Sequence, residues 1–505
     1  MKKHKLLILT LFMLGAVSCG DNFGDINVDP NNPSLVPADY LLTGAQNALA
    51  DDIWDEWMNG RFGLLVSQQW AQNNYSDESQ YTFRQGVINQ YFGYYYHRAL
   101  IDLEEVKELV KASDEAALAS GVNKVAVAEI LECWVYQYVT DVWGPVPYTE
   151  ALKGSENRTP KYDSQESIYV SLLGRLEKAK ADIDDSADGF GASDIIYGGD
   201  MGKWKKLAAS LILRLGMRMA DANGGLAQQA VEGSYADAFG DNSDNAMFTY
   251  LSASPNNNPL NQDRVERGNA DFCLSNILID KALGTRNDPR VIAFADPAVN
   301  SGEYLGRPFG QSPANAASEA PEDYSQPSGA MAVAGAASFN ATDVLAPEAP
   351  AVLMNYAEVC FILAEAKERG WNVSGTAAEW YNAGITASMN QWGITDGTAI
   401  SDYLAQTNVA YASAPGDYKQ KIGIQKWIAL FMQGVEAWSE WRRLDFDLLE
   451  APVDGATGDV GGNVAPLRLT YPTNEQTQNA ANYAEGVNLL GGPDKMSTRV
   501  WWDVE

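Results

Sequence analysis

Histidine is nearly absent from this chain. Of 505 residues only His4 and His97 are histidine, and His4 falls in a leader that reads as removable. A histidine-rich zinc site is excluded, and a Ser/His/Asp triad would have to be built on His97. That residue lies in YFGYYYHRALIDLEEV, a helical pattern crowded with aromatics, where a packed or solvated helix histidine is expected. Cysteine is scarce as well. Apart from Cys19, the residues Cys133, Cys273 and Cys360 each stand singly in apolar, helix-like segments, with no CxxC pair. They read as buried small hydrophobes, not as a disulfide framework. Positive charge is in short supply: 36 Lys and Arg face 66 Asp and Glu, for a formal net charge of −30. Such a surface repels polyanions, which argues against nucleic acid and against acidic polysaccharides held by charge attraction. Beyond the N-terminus no stretch approaches the roughly eighteen uninterrupted apolar residues of a membrane span.

Catalytic signatures are missing too. There is no GxSxG and no HExxH. The run Tyr197-Gly-Gly-Asp-Met-Gly-Lys-Trp204 departs from a phosphate-binding loop at both ends, with Tyr197 for the first glycine and Trp204 for the Ser/Thr. Asp241-Asn-Ser-Asp-Asn-Ala246 opens like a calcium loop but lacks its central glycine, and Ser252 stands where the bidentate Glu belongs. No cofactor and no metal are expected. A glycosidase would need only two carboxylates, and no motif singles out a pair among so many.

What is present begins at the N-terminus. Lys2, Lys3 and Lys5 precede an apolar run, Leu6 to Leu14, too short to span a bilayer; Gly15, Ala16 and Ser18 then lead into Cys19. This is a secretory signal (1–18) of the lipoprotein kind, with Cys19 as the lipidation site and Ala16 in place of the usual leucine. A plain secretory signal ending near Ser18 is the blander alternative. Residues 19–37, polar and rich in Pro and Asn, read as a tether to the membrane, and 38–505 as one domain.

Within that domain the hydrophobic period is helical. Val125, Ala128, Ile130, Leu131, Trp134, Val135 and Tyr138 share one face; Ile168, Leu172, Leu173, Leu176 and Ala179 another; Trp204, Leu207, Ala208, Leu211, Leu215 and Met219 a third. Gly144, Pro145 and Pro147 break the pattern after Trp143. From about 250 to 350 the composition turns to loop, interrupted by a short helix at about 271–283, and loops return over about 450–499. Helices resume at 353–369, 375–391 and 418–440. Pairs of helices with a small-residue, large-aromatic rhythm near 164–222 and 353–392 have a degenerate tetratricopeptide spacing, whose apolar faces only stacking can bury. The expectation is a mainly α scaffold of helix pairs with a loop-rich irregular part and a short hairpin in the loops.

Several segments together resemble one family. They are FGDINVDPNNPSLVPADYLLTGA (23–45), SQQWAQNNYSDESQY (67–81), DVWGPVPYTEAL (141–152), DIIYGGDMGKWKKLAASLILRLGMRM (194–219), NDPR (287–290), NYAEVCFILAEAKERGW (355–371), QKWIALFMQGVEAWSEWRRLDF (425–446), YPTNEQTQNAANY (471–483) and RVWWD (499–503). Their number and order are similar to the SusD/RagB nutrient-binding outer-membrane lipoproteins, in the second SusD-like subgroup. The resemblance implies a SusD-like fold and a non-enzymatic role: capture of oligosaccharides at the cell surface and delivery to a SusC-like TonB-dependent transporter, with the outer membrane reached through the lipid anchor. Peptides or another nutrient on the same scaffold are the alternative. Asp21 and Asp25 resemble the acidic tethers that mark surface export. Trp143-Gly144-Pro145 reads as a turn, and Trp438, Trp441, Arg442 and Arg443 as packing or pairing residues.

Sugars present apolar C–H faces and fixed hydroxyls, so aromatic faces interleaved with amides and carboxylates suit them. Three stretches have that composition. The first holds Trp70, Asn73, Asn74, Tyr75, Asp77 and Tyr81, unless Trp70 is core and the rest a solvated loop. The second holds Asn257, Asn258, Asn261, Asp263 and Arg264. The third holds Tyr304, Phe309 and Tyr324.

Overall fold

The computed structural model describes residues 36–504. The leader, Cys19, Asp21, Asp25 and nearly all of the tether lie outside the described residues.

Helices stack on their neighbours along the chain. α1 (Ala38–Trp54), α2 (Ile101–Lys111), α3 (Ala119–Trp143), α4 (Gln165–Asp182), α5 (Met201–Arg218) and α6 (Gly224–Ser234) pack each against the next. α7 (Tyr356–Glu368) packs on α8 (Ala377–Gln391), and α9 (Tyr418–Ala429) on α10 (Gly434–Leu444). The predicted faces are the buried ones: Ile130, Leu131, Trp134 and Val135 in α3, Ile168, Leu172 and Leu176 in α4, and Trp204, Leu207, Leu211 and Leu215 in α5. Local chemistry sets the ends. Ser164 and Asp200 accept backbone N–H groups of Ser167 and Lys203 at the starts of α4 and α5. α3 stops at Gly144, whose φ of +86° suits a glycine. Small residues allow close approach: a Cβ on Gly384 of α8 would lie 2.8 Å from the Phe361 ring of α7.

Where α3, α5, α7, α9 and α10 converge, the core is ionic. Arg214 meets Glu358 at 2.6 Å, and Arg218 meets Asp141 at 2.7 Å and Glu436 at 2.6 Å. Arg443 bridges Glu365 and Glu440, which also pairs with Lys426 at 3.0 Å. Arg442 lies 3.4 Å from the centroid of the buried Trp438 ring and donates to the carbonyls of Asp141 and Leu467. The packing and pairing expected of these residues is what they do. Each buried charge here has an opposite partner or a carbonyl, the condition under which burial is tolerable.

The strands differ from expectation. Four two-stranded antiparallel sheets occur among the described residues: β1 (Trp70–Gln72) with β5 (Phe272–Leu274), β2 (Val146–Pro147) with β3 (Tyr162–Asp163), β4 (Ala246–Phe248) with β8 (Ala351–Met354), and β6 (Ala295–Asp296) with β7 (Gln326–Pro327). None is a tight hairpin: β2 and β3 are joined by a fourteen-residue loop, and the other pairs by longer stretches of chain. The expected helix at 271–283 begins as β5 and is helical only from Ile277. Phe272, Cys273 and Leu274 find an open backbone edge in β1, and that pairing outweighs local propensity. The three cysteines 133, 273 and 360 are free and buried. No helix of the described residues is long and apolar enough to cross a membrane.

Candidate functional site

The β1–β5 ladder draws the three candidate stretches together. β1 is anchored from below: Gln69 donates to the Trp427 carbonyl at 3.0 Å, and the Trp427 indole donates to the Ser67 carbonyl at 3.0 Å. The register sets Trp70 opposite Leu274 and Gln72 opposite Phe272. Past the ladder, the Asn73 amide donates to the carbonyls of Ala270 and Phe272, and its oxygen accepts from Arg307 at 2.9 Å. Arg307 in turn lies 5.0 Å from the centre of the Tyr324 ring. A buried polar side chain thus ties the first stretch to β5 and to the third stretch.

The turn after Asn73 is braced from within. Gln72 donates to Glu78 at 2.6 Å and accepts from the Ser79 amide, and Ser79 donates to the Ser76 carbonyl. Tyr75 sits at the outside of this turn with φ +54° and is 63% exposed. Two arginines lie against its ring, Arg61 and Arg84, each 5.7 Å from its centre. The same guanidinium groups lie over Trp57, at 4.9 and 5.5 Å. Their charges are held by carboxylates: Arg61 pairs with Glu78 at 2.9 Å and Asp271 at 2.5 Å, and Arg84 pairs with Glu78 at 3.0 Å. Asn74 and Asp77 flank Tyr75 and are exposed; Asn74 also leans on Asp271 at 3.4 Å. A small, mainly apolar recess lined by Trp57, Phe62, Phe83, Arg84 and Val87 adjoins the turn. A second small recess is lined by Trp70, Leu260, Asp263, Asp271 and Phe272.

The individual side chains divide between surface and interior. Trp70 is 1% exposed, packed 5.2 Å from the Phe272 ring, so its faces are not a stacking platform. Tyr81 is buried, with its hydroxyl donating to the Val464 carbonyl, and Phe309 packs against it at 5.9 Å. These three were expected at the ligand and belong to the core, because the alternating loop pattern also serves to pin the loop down. Asn257, Asn258 and Asn261 are buried and hold their own loop: Asn257 donates to Asn261 and Glu266, Asn258 to the Ala349 carbonyl, Asn261 to the Leu345 carbonyl. Asp263 is buried and accepts from Asn269 at 2.5 Å; burial raises its carboxyl above the usual range. Arg264, half-buried, reaches the Asn269 carbonyl. Tyr304 is half-buried against the core, and Tyr324 donates to Glu319 while burial pushes its phenol up to about 12.

Trp57, Arg61, Arg84 and Asp271 were not singled out from sequence. Trp57 and Arg61 share a helix face at four-residue spacing, a visible signal, but their meeting with Glu78 and Asp271 depends on the tertiary fold. No group of three or more His, Cys, Asp or Glu among the described residues is arranged to hold a metal ion.

Stacked helix pairs carrying a loop-built face with an outward aromatic define the class: a helical-repeat scaffold with a loop-rich side. The chain belongs to the SusD-like family, since the profile of that family, described as starch-binding and associating with the outer membrane, matches residues 30–472. Among solved structures, it is similar to a chitin-binding protein at 27% identity, TM-score 0.79, over 93% of this chain and 100% of that one. A chitin-binding SusD homologue from Flavobacterium johnsoniae matches at 25% identity and TM-score 0.77, over 92% of this chain and 99% of that one. A SusD homologue from Bacteroides uniformis matches at 26% identity and TM-score 0.78, over 92% and 100%. Comparison with curated proteins gives no match.

Proposed function

We propose that this protein captures neutral oligosaccharides on the face around Tyr75 and passes them, uncleaved, to a SusC-like TonB-dependent transporter in the outer membrane. The observation that carries the reading is Tyr75 itself. It is a 63% exposed aromatic on a braced turn, next to a pair of neutralised guanidinium groups and flanked by Asn74 and Asp77. A sugar ring has C–H groups for such a face and hydroxyls for the amide and carboxylate beside it. The salt bridges that pre-position the arginines reduce the ordering cost of binding. The charge of −30 favours neutral ligands over acidic ones. The family description and the two chitin-binding relatives support a glycan, and make chitin oligosaccharides the first to try. Lipidation at Cys19 and surface display complete the reading, and rest on the sequence.

The test is calorimetric titration of the mature protein with neutral oligosaccharides and with peptides, analysing the same samples for products. Saturable sugar binding without cleavage supports the reading. Peptide binding alone, or release of shorter sugars, contradicts it. For the anchor, Cys19→Ala is expected to move the protein from the membrane fraction to the soluble one; membrane retention would remove the lipidation step.

A further inference from the structure

The two arginines against Tyr75 stand in different situations. Arg61 is buried and has two carboxylate partners, Glu78 and Asp271. The Arg84 side chain is 43% exposed, and Glu78 is its one carboxylate partner among the described residues, 3.0 Å from its Nε. Glu78 itself is only 3% exposed. One of its oxygens accepts from Arg61 at 2.9 Å and from Gln72 at 2.6 Å, while the other takes Arg84. Three donors on one buried carboxylate fix it in place, and charge-assisted bonds of this kind are the strong ones. The pair is therefore layered. The cation lies at the surface beside the Tyr75 and Trp57 rings, and the anion that cancels it lies beneath.

That layering has a consequence for the charge of a ligand. An exposed guanidinium beside an aromatic face attracts the carboxylate or sulfate of an acidic sugar, and Arg binds such groups through two parallel N–H donors. With a buried carboxylate already on its Nε, much of that attraction is cancelled. A neutral sugar loses nothing by this, since a neutralised guanidinium still donates to hydroxyls and still lies against the rings. We infer that Glu78 sets the charge selectivity of the Tyr75 face, by withholding from acidic sugars the cation that Arg84 would otherwise offer them. Glu78 is thus a positioning residue that acts through Arg84 and touches no ligand. The selectivity is local, distinct from the repulsion by the net charge of −30, which acts on anions at every part of the surface. This inference rests on the glycan reading, and its test separates the two.

The experiment is calorimetric titration of the mature protein and Glu78→Gln with two ligands, at low and at high salt. One ligand is tri-N-acetylchitotriose; the other is the same trisaccharide with a single C6 hydroxymethyl oxidised to a carboxylate. Glu78→Gln is expected to raise the ratio of acidic to neutral affinity about tenfold at low salt, the size of one charge contact near a protein surface. High salt is expected to shrink that gain. Glu78→Asp, which keeps the charge, is expected to hold the ratio within about twofold of the unmodified protein. Thermal unfolding checks that each variant is folded. A purely structural role for Glu78 lowers both affinities together, so an unchanged ratio in a folded Glu78→Gln overturns the inference and leaves the glycan reading standing. Should Glu78→Gln fail to fold, Arg84→Gln decides, since it alters an exposed side chain. Removing that cation is expected to lower the ratio about tenfold, and an unchanged ratio there overturns the inference too. No binding of either sugar by the unmodified protein removes both claims.

Discussion

Tyr75 and Tyr81 are six residues apart in one loop and have opposite fates. The first is 63% exposed and the second fully buried with its hydroxyl on Val464. Their substitutions are expected to separate binding from stability. Tyr75→Ala removes the platform while leaving the core untouched; glycan affinity is expected to fall about tenfold, with unfolding free energy changed by no more than about 0.5 kcal/mol. Tyr81→Ala opens a cavity against Phe309 and Phe83, and is expected to cost about 3–5 kcal/mol in denaturant unfolding. A single sequence shows both as aromatics in a polar loop. Which one faces water depends on Gln68 and the carbonyl of residue 464, hundreds of residues away, and no local pattern encodes that.

Between elements, the closest approach is at glycine. A Cβ on Gly434, the first residue of α10, would lie 2.3 Å from the Gly63 backbone carbon and 2.5 Å from the Leu64 nitrogen. Gly434→Ala is expected to destabilise by about 1–3 kcal/mol through backbone displacement. It also moves the Glu56–Gly63 segment that carries Trp57 and Arg61, so glycan affinity is expected to fall with it; a variant of unchanged stability and affinity would show that the two backbones part freely. Elements of this kind were the legible part of the sequence. The apolar periods of α3, α4 and α5 and the turn at Gly144 are local, and they appear where the pattern places them. The strands were not legible, since Trp70–Gln72 is a strand only because Phe272–Leu274 lies beside it. The platform was half legible for the same reason: Asn74, Tyr75 and Asp77 stand in the candidate loop, whereas Arg61 and Arg84 reach it by ion pairs that form only in the fold.

Across the whole molecule, buried ionisable groups shape the response to pH in two opposed ways. Burial alone would raise Glu436, but Arg214 and Arg218 overcome it and lower the carboxyl to about 2; Glu440 is likewise held well below the usual range against burial by Arg443 and Lys426. Because these folded-state values lie below the unfolded one, the stability they add is complete above about pH 4.5 and is lost as pH falls toward about 2. Asp52 and Glu132 go the other way, raised by burial to about 7. The folded state holds their protons more tightly than the unfolded chain, so stability declines as pH rises from about 4 to about 7. The melting temperature is therefore expected to be highest between about pH 4 and about pH 4.5, falling on both sides. Glu440→Gln strips Arg443 and Lys426 of a buried partner and is expected to cost about 3–5 kcal/mol at neutral pH; a flat pH profile or a neutral Glu440→Gln would remove the ionic core from the account.

The measurement that bears most directly on the account is a side-by-side calorimetric titration of the unmodified protein and Tyr75→Ala with a chitin oligosaccharide. The account predicts saturable binding without cleavage for the unmodified protein, and affinity lower by about tenfold for a variant that melts at the same temperature. Equal affinity for the two proteins, or no binding of the sugar by either, would contradict it.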